Sequence, residues 1–113
     1  MHCIFCQIVA GELAADIVYE DQDVVAFRDI NPQAPHHILV IPRKHVSTVN
    51  EFAATDAELI GKLVLAAKSI GTELGIAEDG YRLVLNCGRD AGQTVYHVHL
   101  HLIAGRSMHW PPG

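Results

Sequence analysis

The stretch Tyr96-His97-Val98-His99-Leu100-His101-Leu102-Ile103 constrains the fold of this chain more than any other. Strict alternation of histidine with apolar residues is the period of a β-strand, whose successive side chains point to opposite faces of a sheet. The pattern predicts a strand over 96–103, with His97, His99 and His101 on one face and Tyr96, Val98, Leu100 and Leu102 packed into a core on the other. Same-face neighbours on a strand lie about 6.5–7 Å apart. A strand with no chemistry to perform would carry Thr, Ser or Lys on its wet face. A row of three imidazoles instead offers metal ligation, or acid–base and nucleophilic chemistry near neutral pH.

With 113 residues, the chain reads as one domain over 1–113, long enough for a single ordinary core. No apolar run approaches the roughly 18 residues of a membrane span. The start, Met1-His2-Cys3-Ile4-Phe5-Cys6, lacks the basic and apolar segments of a secretion signal. A soluble, cytoplasmic protein with no membrane partner is the expectation. Thirteen Asp and Glu outweigh eight Lys and Arg, for a net charge of −5, which argues against a sequence-independent nucleic-acid binder. A small phosphorylated ligand is compatible with that charge, because a few backbone N–H groups can hold one locally. Three cysteines make a poor disulfide framework and are expected to be free or metal-bound.

Along the chain, Cys3 to Ala10 reads as a short helix with Ile4, Phe5, Ile8 and Val9 as its apolar side and Gly11 at its end. Ile17–Glu20 and Val24–Phe27 read as strands joined through Asp21-Gln22-Asp23. Arg28 to Pro35, with its Asn-Pro step, is a loop, and Ile38–Ile41 is a buried strand stopped by Pro42. Thr55 and Glu58 fit a capping box that opens a long helix, whose stripe runs from Leu59 and Ile60 through Leu63, Ala67 and Ile70 to Leu74 before Gly75. Val64 and Leu65 widen its apolar surface, as a deeply buried helix or a dimer contact would require. Tyr81–Asn86 is a further strand, Cys87 a core thiol, and Gly88–Thr94 a loop delivering the chain into the histidines. The proline-bearing tail Met108–Gly113 should lie over a surface. Five strands with one long and one short helix make an α+β fold with a mainly antiparallel sheet.

Two constellations carry chemistry. A neutral imidazole is a competent nucleophile at phosphorus. The middle histidine, His99, is best placed for it, since one neighbour can orient it and the other can manage charge on the phosphate or leaving group. Gly92, Gln93 and Thr94 just ahead can offer backbone N–H groups and polar side chains to a phosphate. Three histidines at i, i+2 and i+4 spread over about 13 Å of strand and cannot share one ion that binds nitrogen at about 2.0–2.1 Å. The second constellation is Cys3-x-x-Cys6, the spacing of half a zinc site, with His45 and His97 as candidates for the other half. A redox pair and two inert thiols are the competing readings.

These segments together resemble the histidine-triad (HIT) superfamily. The matching residues are His97-Val98-His99-Leu100-His101-Leu102-Ile103, Cys3-Ile4-Phe5-Cys6, Asp29-Ile30-Asn31-Pro32-Gln33-Ala34-Pro35-His36-His37, Ile41-Pro42-Arg43-Lys44-His45 and Gly92-Gln93-Thr94-Val95-Tyr96. The Pro-Gln-Ala-Pro loop and the Met108–Gly113 tail resemble the HINT branch, the purine nucleoside phosphoramidases. The resemblance implies a HIT-like fold and a two-fold homodimer. It also implies hydrolysis of a purine nucleoside 5′-phosphoramidate, such as adenosine 5′-monophosphoramidate, to the monophosphate and an amine.

By position, the resemblance makes His99 the nucleophile, His101 its partner at the phosphate and leaving group, and His37 the histidine that hydrogen-bonds into the triad. It puts Asp29 and Ile30 at the ribose and base, and Asn86, Gly92, Gln93 and Thr94 around the phosphate and leaving group, where Thr94 replaces a frequent serine. It sends Trp110 to the partner protomer's pocket, and zinc to Cys3, Cys6, His45 and His97. The same triad would also suit a dinucleoside polyphosphate hydrolase or nucleotidyl transferase, or a nucleotide-binding regulatory module.

Overall fold

The computed structural model describes residues 3–113, so Met1 and His2 of the amino-terminal reading lie outside the described residues. Helix α1 (Ile4–Val9) opens on Cys3, whose sulfur accepts the Cys6 N–H at 3.3 Å, and buries Phe5 and Ile8. Strands β1 (Ile17–Glu20) and β2 (Val24–Arg28) form a hairpin. The Asp21 carboxylate closes its turn by accepting the N–H groups of Asp23 and Val24, each at 2.8 Å. Strand β3 (His36–Pro42) follows, then two single turns of 3-10 helix, the long helix α2 (Ala57–Glu73), β4 (Tyr81–Leu85) and β5 (Leu100–Ala104). All pairings are antiparallel, in the order β1-β2-β3-β5-β4. None of the described helices is long and apolar enough to cross a membrane.

The sheet carries apolar residues on both faces of its middle strands, and two cores result. Beneath α2, Ile38, Val40, Leu100 and Leu102 meet Leu63 and Ile70. On the other face, Phe5 and Ile8 of α1 cover Val25, Phe27, Leu39 and Ile41. Burying each of these aliphatic side chains is worth about 1.5–3 kcal/mol. The sheet is thereby fixed as a rigid platform, and the α1 face is the one that carries the site.

Five expectations change. The strand predicted over 96–103 pairs only from Leu100 onward, so His97 and His99 precede β5. The next register positions would set Ile41 against His99 and Pro42, which has no N–H to donate, against Val98; the Val98 N–H goes instead to the Val46 carbonyl at 2.7 Å, and β4 ends at Leu85, opposite Leu100. The alternation of faces persists without the ladder: Val98 joins Leu100 and Leu102 under α2, and His97 and His99 lie against Phe5 on the far side. Tyr96 is 48% exposed rather than in the core.

Asp56, not Thr55, stands at the N-cap of α2, because Ala54–Asp56 form a 3-10 turn in which the Asp56 carboxylate accepts the Ala53 N–H at 2.9 Å and the Lys44 ammonium at 2.8 Å. β3 starts at His36, two residues earlier than its apolar run. Cys87 is half-buried, not a core thiol.

Candidate active site

The α1 face of the sheet, the β2–β3 connection and the segment ahead of β5 enclose a cleft of about 400 Å³. His99, His101, Asp29, Ile30 and Thr94 line it, and its apolar wall includes Phe5, Ile8, Phe27 and Leu39. Those four are the wall residues that sequence reasoning used only as core; their signal is the apolar side of α1 and the continuous apolar runs of β2 and β3, which leave one face of each strand to cover the site. A cleft with an apolar wall and a few polar groups at one end suits a planar base carrying a phosphorylated sugar.

Main-chain atoms set the tautomers of His37, His97 and His99, and His37 in turn sets that of His101. The His97 carbonyl lies 2.8 Å from His99 Nδ1 and can only accept, so Nδ1 carries the hydrogen and Nε2 keeps a lone pair. The Phe5 ring stands edge-on to the His99 ring, with centroids 5.2 Å apart at 89°. His99 is thus held at the cleft in one orientation, with Nδ1 engaged by the main chain and Nε2 as its free nitrogen.

The Gln33 N–H points at His37 Nδ1 at 3.0 Å, so His37 carries its hydrogen on Nε2 and donates it to His101 Nδ1 at 2.9 Å. His101 must then hold its own hydrogen on Nε2. Asp29 stands 3.5 Å from His37 Nε2 and fixes its own loop by accepting the Asn31 N–H at 2.8 Å. Burial lowers the pKa of His37, against the opposing pull of Asp29. Burial, followed by the neighbouring His99 and His37, depresses His101 to about 4. Both rings are neutral at neutral pH.

The ligand atoms of Asp29, His37 and His101 lie close enough to hold a metal ion, yet the hydrogen pattern opposes one. An ion on His37 Nε2 would drive the ring hydrogen to Nδ1, against the Gln33 N–H. This cluster is built to hold a proton.

Cys3, Cys6, His45 and His97 form the opposite case. His97 is fully buried (0% exposed), and its Nε2 donates to the Pro42 carbonyl at 2.8 Å, which leaves Nδ1 as a lone pair. That lone pair faces His45 Nδ1 at 3.2 Å, Cys3 Sγ at 3.4 Å and Cys6 Sγ at 3.6 Å. Cys6 Sγ lies 3.3 Å from His45 Nδ1. Ligands around a tetrahedral zinc ion sit about 3.3–3.8 Å from one another. Four soft or borderline donors with their lone pairs converging fit such an ion, and the Pro42 carbonyl supplies the outer contact that orients a ligating imidazole.

The remaining sequence-derived residues stand apart from the cleft wall. Gln93 is buried with its side-chain amide bonded to the protein itself. Asn86 is half-buried just past β4, Gly92 is exposed on its loop, and Trp110 is 83% exposed on the tail. None of these four is among the residues lining the cleft.

The HIT domain family model matches residues 10–108. A HIT-like protein of Synechococcus elongatus is 52% identical over 110 residues, covering 97% of this chain and 96% of that one. The purine nucleoside phosphoramidase of Escherichia coli is 50% identical over 105 residues, 93% of this chain and 88% of that one. Among solved structures, a HIT family hydrolase from Legionella pneumophila superposes with a TM-score of 0.97 at 50% identity, covering 99% of this chain and 100% of that chain.

Proposed function

The chain belongs to the HIT domain family, and on that premise we propose that it is a hydrolase of the P–N bond in purine nucleoside 5′-phosphoramidates, yielding the nucleoside monophosphate and an amine. The observation that carries this reading is the His99 Nε2 lone pair, freed by the Nδ1 bond to the His97 carbonyl and facing the cleft.

In the first half-reaction, His99 Nε2 forms a bond to phosphorus while the P–N bond breaks. His101 starts neutral, with its one hydrogen on Nε2; that N–H hydrogen-bonds the departing nitrogen, which leaves as the amine with a proton taken up from solvent. In the second half-reaction water attacks the nucleotidyl-histidine, its proton returns to solvent, and His99 is released with the monophosphate. His37 holds His101 in the tautomer this hydrogen bond needs. Asp29 and Ile30 at the lip suit the ribose and base, with Thr94 at the phosphate end.

Cys3, Cys6, His45 and His97 hold a structural zinc ion in this reading; bound, it ties α1 to the sheet and contributes stability, not a reaction step. A homodimer is supported by Val64 and Leu65, exposed apolar residues on α2, and by Leu85 on the edge strand β4. The exposed Trp110 is then free to reach the partner protomer. One domain suffices for this work, in the cytoplasm and without nucleic acid. Incubation with adenosine 5′-monophosphoramidate should release AMP; a purified chain that releases none contradicts the proposal.

A further inference from the structure

Gln93 is only 5% exposed, and its side-chain amide uses both donors and its acceptor within the protein. Its Nε2 donates to the Ser47 carbonyl at 2.8 Å and to the Val95 carbonyl at 3.1 Å. Its Oε1 accepts the Gly88 N–H at 2.9 Å. The main chain repeats the last link, since the Gln93 N–H donates to the Gly88 carbonyl at 3.0 Å. A flipped amide would set its oxygen against two carbonyls, so one orientation is dictated. No hydrogen on Nε2 is left for a ligand.

These bonds join three stretches of chain. Gly88, at φ +85°, begins the exposed loop that ends in Thr94. Ser47 belongs to the segment after His45, whose neighbour Val46 accepts the Val98 N–H at 2.7 Å next to His99. Val95 follows Thr94 directly, so the residues on both sides of Thr94 are held by a single amide. An exposed, glycine-bearing loop would otherwise have little to keep its N–H groups and the Thr94 hydroxyl in register with His99.

We infer that Gln93 is a positioning residue for the phosphoryl-transfer end of the cleft: it braces the Gly88–Thr94 loop against the Ser47 and Val95 carbonyls and does not itself bind phosphate. The inference rests on the proposed phosphoramidase reading. A loop set in advance stabilises charge as it develops, and a displacement of about 1 Å at such a site costs about 100-fold in rate.

Gln93→Glu tests it at nearly constant size, keeping the acceptor for Gly88 and replacing both donors with lone pairs. The expected result is a fall in kcat of about 100-fold on adenosine 5′-monophosphoramidate, with KM changed less than about 3-fold because the base and ribose walls are untouched. Amide exchange over 88–95 should accelerate while β3 and β5 stay protected. An unchanged kcat overturns the inference. So does a KM rise matching the rate loss with unaltered exchange, the signature of a lost substrate contact. Should Gln93→Glu fail to fold, Gly88→Ala strains the same loop from its other end without crowding any neighbour, and the same kcat loss is expected of it. A wild-type chain with no turnover would fail the functional reading alone; the exchange comparison would still decide whether Gln93 braces the loop.

Discussion

The main-chain carbonyl of His97 accepts the Nδ1–H of His99 at 2.8 Å, while the His97 side chain turns its own Nδ1 away, toward Cys3, Cys6 and His45. One residue therefore serves the Cys3–Cys6–His45 cluster with its ring and His99, the proposed nucleophile, with its backbone. The two duties separate on substitution. His97→Ala removes one donor of the proposed zinc site but keeps the carbonyl, so metal content should fall to near zero while kcat drops far less than in His99→Ala. Elemental analysis and steady-state kinetics on the same preparations check this. Equal rate losses in the two variants would count against the division.

Removing the proposed zinc ion should weaken the fold more than the chemistry. An ion present at about 100 times its dissociation constant stabilises the folded chain by about 2.7 kcal/mol, all of it lost on chelation. Chelated protein should unfold at lower urea, with kcat within about 3-fold of the loaded protein. A urea midpoint unmoved by chelator, or protein purified without stoichiometric metal, contradicts the assignment.

Acid stability follows from His101. Its pKa is about 4 in the folded chain, mainly through burial, against about 6.5 when unfolded. Between those values the unfolded chain binds a proton that the folded chain does not, so stability falls as pH drops from about 6.5 to about 4. His37, lowered by burial, acts with the same sign. Asp21 and Asp56 have lowered pKa values, so their losses come at more acid pH. Urea midpoints between pH 7 and pH 4.5 should decline in the wild type and decline less in His101→Asn. Parallel slopes would remove His101 from the explanation.

Gly105 bears on the site from outside it. Its φ is +98°, and an added Cβ would come 2.9 Å from Cβ of Pro35. The loop it packs against carries Gln33, whose N–H sets His37 and whose carbonyl accepts Arg106 Nε at 2.9 Å. Gly105→Ala should cost about 1–3 kcal/mol and lower kcat by loosening the His37–His101 pair. Thermal unfolding and kinetics measure both, and a neutral effect on each would refute the link.

Leu65 is 60% exposed on α2 in the single chain, so charge there should leave the protomer fold intact. Leu65→Glu should convert a dimer to a monomer in analytical ultracentrifugation, with an unchanged circular dichroism spectrum. A wild type already monomeric at micromolar concentration would end the dimer proposal.

Much of this arrangement was legible in residue patterns. Periodicity located α1, the β1–β2 hairpin, β4 and the body of α2, and the C-x-x-C spacing pointed to the two histidines that the structure brings beside it. The rest was written in main-chain atoms, which leave no trace in side-chain pattern. The Pro42 carbonyl, the His97 carbonyl and the Gln33 N–H decide which nitrogen of each imidazole is free. The Val98 N–H goes to the Val46 carbonyl and not to β3, so the β3–β5 ladder stops at Leu100 and only the second half of the alternating stretch is strand. At the start of α2, Asp56 outcompetes Thr55 because its carboxylate gains both the Ala53 N–H and Lys44. The neighbours of Gln93 point to a phosphate contact, whereas what its side-chain amide bonds, Gly88, Ser47 and Val95, is visible only in the fold.

The most direct measurement is rapid-quench mass spectrometry during turnover of adenosine 5′-monophosphoramidate. An adenylyl group should appear on His99, accumulate where hydrolysis is slowed, and vanish in His99→Ala together with at least about 1,000-fold of kcat. Turnover with no adduct on His99, or with the adduct on another residue, would contradict the nucleophile assignment.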